Sequence, residues 1–211
     1  HYPASDKFMP LQIVTHFFMH GGIAHIFFNM FALVMFGSAL EALWGPKKFL
    51  FFYFTCAFGA AALHMGVNYW EFSQMENTIE AFRNNPTYDT FWSFFQDVPF
   101  ERLIPEYENA VRQVAGMLEE GNTQVVSRGA RLMERYVESQ MDIPIVGASG
   151  AIYGLLLAFG MKFPNAELML IFLPIPIKAK YFIPVLMIIE LYLGVNRFSW
   201  DNIAHFAHLG G

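Results

Sequence analysis

Four near-continuous apolar runs decide what this chain can fold into: Gly21 to Trp44, Phe49 to Trp70, Ile143 to Phe163 and Tyr181 to Gly194. Three of them reach the ~20 residues that a helix needs to cross a bilayer, and the fourth needs its flanks. In hydrocarbon every backbone N–H and C=O must be satisfied internally, so the expected architecture is all-α, a polytopic membrane helix bundle. The composition agrees, with 55% hydrophobic, 18% aromatic and only 15% charged residues, against roughly 25% charged in a soluble domain.

Residues 71–142 break the pattern. They hold 13 of the 18 acidic and 6 of the 13 basic residues, a local net charge of −7, which leaves +2 for the remainder. From Glu101 to Glu120 the apolar positions Leu103, Tyr107, Val111, Val114 and Leu118 recur at helical spacing. Asn122 is suited to cap a second helix running to Ser139, with Leu132, Met133, Tyr136 and Val137 on one face. The chain therefore divides into a membrane core, 1–70 and 143–211, and a soluble helical insert, 71–142. The lone cysteine, Cys56, lies in an apolar run, where packing is its expected role. The net charge of −5 argues against nucleic acid as a partner. His1-Tyr2-Pro3-Ala4-Ser5 lacks the basic start and apolar stretch of a signal peptide, and there is no initiator Met. The last apolar segment begins at Ile203 and stops nine residues on at Gly211, so a fragment cut inside a helix is expected.

Orientation follows from lysines. Lys47 and Lys48 separate the first two spans, and Lys178 and Lys180 precede the last full one. By the positive-inside rule both loops are cytoplasmic, and the acidic insert and the loop from Asn196 to Asn202 lie on the opposite face. The spans starting near Gly22, Ile143 and Ile203 then all begin on the non-cytoplasmic side. Counting along them puts Asn29, Ser149 and His208 in one layer, roughly 8–10 Å below that face at ~1.5 Å per residue.

Polar groups at such a depth are functional candidates by default. Each also has a plain structural reading. Ser149 in Gly147-Ala148-Ser149-Gly150 fits a small-residue helix contact, and His208 and Asn29 fit helix-bridging hydrogen bonds. Together they match a serine nucleophile, its base and a donor for the oxyanion. His25 and Asn29, at i and i+4, share a helix face, so both can aim donors at one point. Tyr153, four residues after Ser149, is expected to stack on the imidazole and orient it, as a carboxylate does in a serine triad. No carboxylate is then required in the membrane layer. A metal site is weighed on His16, His20, His25, His205 and His208, since His205 and His208 have ligand spacing. The absence of a His-Glu-x-x-His motif, and of a carboxylate beside either histidine cluster within a span, argues against zinc. No metal and no cofactor are expected.

These residues resemble the rhomboid family of intramembrane proteases, of bacterial type. The matching pieces are Gly147-Ala148-Ser149-Gly150 with Tyr153, Ala207-His208-Leu209-Gly210-Gly211, and His25-Ile26-Phe27-Phe28-Asn29. Thr15-His16-Phe17-Phe18-Met19-His20 is similar to the stretch entering that helix, and Gly37, Glu41 and Gly45 to its end. The resemblance covers 1–70 and 143–211. It implies that the first family helix is missing upstream, that the last is truncated, and that the insert falls between the third and fourth family helices. The family's Trp-Arg pair is replaced by Leu11-Gln12. The resemblance further implies a serine endopeptidase that cleaves transmembrane protein substrates within the lipid bilayer, near its outer face. Ser149 is then the nucleophile and His208 the base, with His205 the alternative base one turn away. His25, Asn29 and the Ser149 N–H bind the oxyanion, and Gly147, Gly150 and Tyr153 support the site, the glycines by letting substrate approach. The expected location is a multi-pass position in a cell membrane, the bacterial inner membrane, with the site open to the non-cytoplasmic side. Two other classes stay open: a rhomboid-like pseudoprotease that binds membrane-protein clients, and a histidine-lined metal or transport protein. The sequence sets no oligomeric state.

Overall fold

The computed structural model describes residues 1–96, 98–100, 103–170, 173–196 and 204–211. The helix start expected at Ile203 and residues 197–202 of the loop before it lie outside the described residues, as does Glu101. The chain forms two compact units, one of residues 9–67 and 145–211, the other of residues 1–8 and 68–144. The first eight residues thus belong with the insert and not, as expected, with the membrane core.

The membrane unit opens with a short helix, α1 (Gln12–Thr15), that tightens into a single turn over His16–Phe18. Helix α2 (Ile23–Ala32) runs through a wide turn at Leu33–Gly37 into α3 (Ser38–Trp44), together a 22-residue apolar stretch. Gly45 ends it in the left-handed conformation, φ 77°, with its N–H on the Glu41 carbonyl. Pro46, which has no N–H to leave unpaired, opens α4 (Pro46–Asn84). Helix α9 (Ala179–Asn196) is the third helix among the described residues long and apolar enough to cross a membrane. In these three stretches only 17–22% of the apolar window is buried, and Ile23, Phe51 and Ile188 stand exposed, as suits surfaces meant for lipid.

The stretch from Ile143 to Phe163 departs from its expected form. Residues 142–148 are turn and irregular chain, and α8 runs only from Ser149 to Lys162. Pro144 supplies no N–H for a helix, and Gly147 adopts φ 112°, which breaks one. At 14 residues α8 is about 21 Å long, and Ser149 is its first residue, not one six residues into a span. Helical rise counted from Ile143 therefore does not give the depth of the serine. A hairpin, β1 (Glu167–Leu170) and β2 (Leu173–Lys178), then pairs Glu167 with Lys178 and Leu168 with Ile177. It adds a small sheet to an otherwise helical unit. Leu168 packs with Leu156, Ala179 and Ile183. The last element is α10 (His205–Gly210).

The insert unit is built around the far part of α4 with α5 (Tyr88–Phe95), α6 (Pro105–Glu119) and α7 (Val126–Met141). Thr87 and Thr90 cap α5 reciprocally, and Asn122 accepts the Gln124 N–H at the turn that leads into α7. The amphipathic faces read from sequence meet in its core, where Val111, Val114 and Met133 are fully buried with Phe82, Phe91 and Phe95. The N-terminal residues are tied to the end of α7: the Tyr2 N–H donates to the Met141 carbonyl at 3.1 Å, and Ser5 Oγ to Asp142 Oδ1 at 2.6 Å. Lys7 and Ser5 hold the Asp142 carboxyl below the usual carboxylate range. Phe91→Ala is expected to cost about 3–5 kcal/mol through the cavity it leaves, read as a fall in the thermal unfolding midpoint of the detergent-solubilised protein.

Candidate functional site

Small residues create the site by removing the side chains that would keep helices apart. A Cβ on Gly150 would lie 2.3 Å from Ala60 Cβ and 2.8 Å from the Ala207 carbonyl oxygen. One on Gly154 would lie 2.4 Å from Cys56 Sγ and 2.5 Å from the Gly211 oxygen. One on Gly59 would meet the Gly210 oxygen at 2.7 Å. Helix α8 is thereby pressed against α4 on one side and α10 on the other. Gly150 serves this packing. Cys56, a buried free thiol, packs here as expected.

That contact sets α10 so that His208 Nε2 lies 3.0 Å from Ser149 Oγ. The imidazole stacks flat on Tyr153, with ring centroids 4.2 Å apart and 7° between planes. Ser149, His208 and Tyr153 are therefore one cluster, assembled from the start of α8 and from α10. As the first residue of α8, Ser149 has a backbone N–H without a partner inside its own helix, at the end where the dipole favours negative charge.

Gly147 approaches the site from another direction. Its N–H donates to the His16 carbonyl at 3.0 Å, and a Cβ there would sit 2.9 Å from Cε1 and Nε2 of His25. The glycine is thus needed for its left-handed backbone and for room against His25. The Gly21 N–H donates to His25 Nδ1 at 3.2 Å, so the neutral ring carries its proton on Nε2, the atom facing Gly147. Asn29 is buried at 6% exposure, and its Nδ2 has no hydrogen-bond partner among the described residues. A buried unpaired donor of this kind calls for a ligand or a functional reason.

One residue was missed from the sequence. Glu190 of α9 is buried at 6% exposure, and its Oε2 lies 2.6 Å from His205 Nδ1 and 3.0 Å from His208 Nδ1. Its Oε1 accepts the Tyr153 hydroxyl. A carboxylate does stand beside the histidines, contrary to the expectation of none, and that ground against zinc falls away. The signal was available, since Glu190 interrupts the apolar run from Tyr181 to Gly194 and an ionisable group in such a run marks a site. Glu190, His205 and His208 offer ligand atoms within 4.8 Å of one another. Two ligands of one zinc at ~2.0–2.1 Å in tetrahedral geometry stand roughly 3.3 Å apart. The 2.6 Å between His205 and Glu190 is the spacing of a hydrogen bond.

The chain matches the Rhomboid domain over residues 7–71 and 122–211, and it belongs to the rhomboid family. With its long apolar helices it is a multi-pass membrane protein. It is similar to a rhomboid protein of Schizosaccharomyces pombe, described as uncharacterized and mitochondrial, at 26% identity over 94% of this chain. The alignment covers 47% of that relative, so the chain spans about half its length. No solved structure matches. Gly147→Ala is expected to cost at least about 1–2 kcal/mol from the left-handed backbone alone and to push the His25 ring aside. The measurement is the unfolding midpoint in detergent, which falls below that of the unaltered protein.

Proposed function

We propose that this chain is an intramembrane serine endopeptidase that cleaves transmembrane segments of membrane proteins with a Ser149–His208 dyad. The observation that carries the reading is the 3.0 Å approach of His208 Nε2 to Ser149 Oγ, on a ring stacked by Tyr153. Ser149 Oγ attacks the scissile carbonyl carbon while His208 Nε2 takes its proton. As the C–N bond breaks, that proton passes to the leaving amine, and water then hydrolyses the acyl-enzyme. The negative oxygen formed in the attack is received by the Ser149 N–H, the His25 Nε2–H and the unpaired Asn29 amide. His208 is preferred to His205 as the base because its Nε2 meets the serine, while His205 is turned to Glu190 through Nδ1.

The pseudoprotease alternative is disfavoured by the presence and contact of both dyad members. The dyad opens, in this reading, to the face opposite the Lys47–Lys48 and Lys178–Lys180 loops. The name of the fission yeast relative favours a mitochondrial membrane over the bacterial one expected from sequence.

The test is cleavage of a fluorogenic transmembrane peptide by the protein reconstituted in liposomes. Ser149→Ala is expected to abolish it, and Asn29→Ala to slow it by about 10²–10³-fold without lowering the unfolding midpoint. Cleavage that survives Ser149→Ala contradicts the proposal.

A further inference from the structure

Resting on the Ser149–His208 reading, we infer that Glu190 is the positioning residue of the site, completing a Glu190–His208–Ser149 relay in which the buried carboxylate fixes the tautomer of the base. An ionised carboxylate only accepts hydrogen bonds, and a neutral imidazole has one donor and one acceptor nitrogen. His208 Nδ1 lies 3.0 Å from Glu190 Oε2, so Nδ1 carries the proton. Nε2 is then the bare nitrogen, and it is the atom 3.0 Å from Ser149 Oγ. The serine hydroxyl donates to it, which is the arrangement needed for Nε2 to take the proton as Oγ attacks.

The carboxylate is itself held from several directions. Oε2 also takes the His205 Nδ1–H at 2.6 Å, and Oε1 takes the Tyr153 hydroxyl. Glu190, His205 and the His208 ring are all nearly excluded from solvent, with side-chain exposures of 8%, 6% and 11%. A buried charge without such partners would be costly, and here each oxygen has at least one donor. His205 thereby gains a role distinct from that of alternative base: it anchors the carboxylate that orients His208. Tyr153 has two roles, its ring stacking on His208 and its hydroxyl locking Glu190. When Nε2 accepts the serine proton, His208 becomes a cation in a poorly solvated site. The adjacent carboxylate offsets that charge, a stabilisation that a bare dyad lacks.

A fluorophosphonate probe tests this without knowledge of the substrate. Ser149 Oγ bonds to phosphorus, fluoride leaves, and the serine proton passes to His208. Glu190→Gln keeps size and polarity but removes the charge. It is expected to lower the maximal labelling rate by about 10²–10⁴-fold with the half-saturating probe concentration unchanged, and Glu190→Asp is expected to recover part of the rate. A Glu190→Gln protein that is labelled at the unaltered rate overturns the inference while leaving the Ser149–His208 reading in place. Absence of Ser149-dependent labelling in the unaltered protein overturns both.

Should Glu190→Gln fail to fold, the unaltered protein decides. With ¹⁵N-labelled histidine, and the His208 signals identified by His208→Gln, the proton is expected on Nδ1. A neutral His208 protonated on Nε2 overturns the relay. Stoichiometric zinc in the purified unaltered protein, with its removal by a chelator shifting the His205 and His208 ring nitrogen signals, also overturns it by assigning the three side chains to a metal.

Discussion

Backbone contact between α8 and its neighbours, made possible by glycine, is the constraint from which the site follows. Gly150 and Gly154 leave no room for a Cβ against Ala60, Cys56, Ala207 and Gly211, so α10 lies directly on α8. In a membrane there is little hydrophobic gain in bringing two apolar helices together, and close van der Waals contact supplies the attraction instead. Only at that separation does a histidine on α10 reach a serine at the head of α8. The small residues of Gly147-Ala148-Ser149-Gly150 therefore have separate duties: Gly147 turns the chain, Ser149 meets His208, and Gly150 packs.

Around that contact, polar groups are arranged so that few are left unpaired. Glu190 takes donors from His205, His208 and Tyr153, and His25 is oriented by the Gly21 N–H. Among the described residues the Asn29 amide nitrogen and His20 Nε2 are buried without a hydrogen-bond partner. In a low-dielectric layer such a group is expensive, and an oxyanion forming near it would repay the cost where a solvated group would not.

Much of this was legible in the sequence, and the failures have identifiable causes. The stretches from Ile23 to Trp44 and the start of α4 are long apolar runs, and lipid selects for nothing else. In the insert, Val111, Val114, Leu132 and Met133 mark the buried faces of α6 and α7 because water on the other side enforces helical periodicity. Helix α4 continues unbroken to Asn84 because the change at Glu71 is one of polarity, with no proline or glycine stop. The hairpin was hidden by Pro174 and Pro176, which read as loop. Ser149 and His208, which motif order points to, lie in hydrogen-bonding contact, while Ser149 heads its helix instead of lying deep in one, since Pro144 and Gly147 keep the preceding residues out of it. Glu190 is masked by the apolar run that surrounds it, although a charge in such a run is itself the signal of a site.

The central claim is that Ser149 is an activated nucleophile. Peptide mass spectrometry of the unaltered protein after exposure to a fluorophosphonate tests it most directly. The account predicts a single adduct, on Ser149, and none on the chain's other serines. An adduct elsewhere, or none while the protein remains folded, would contradict it.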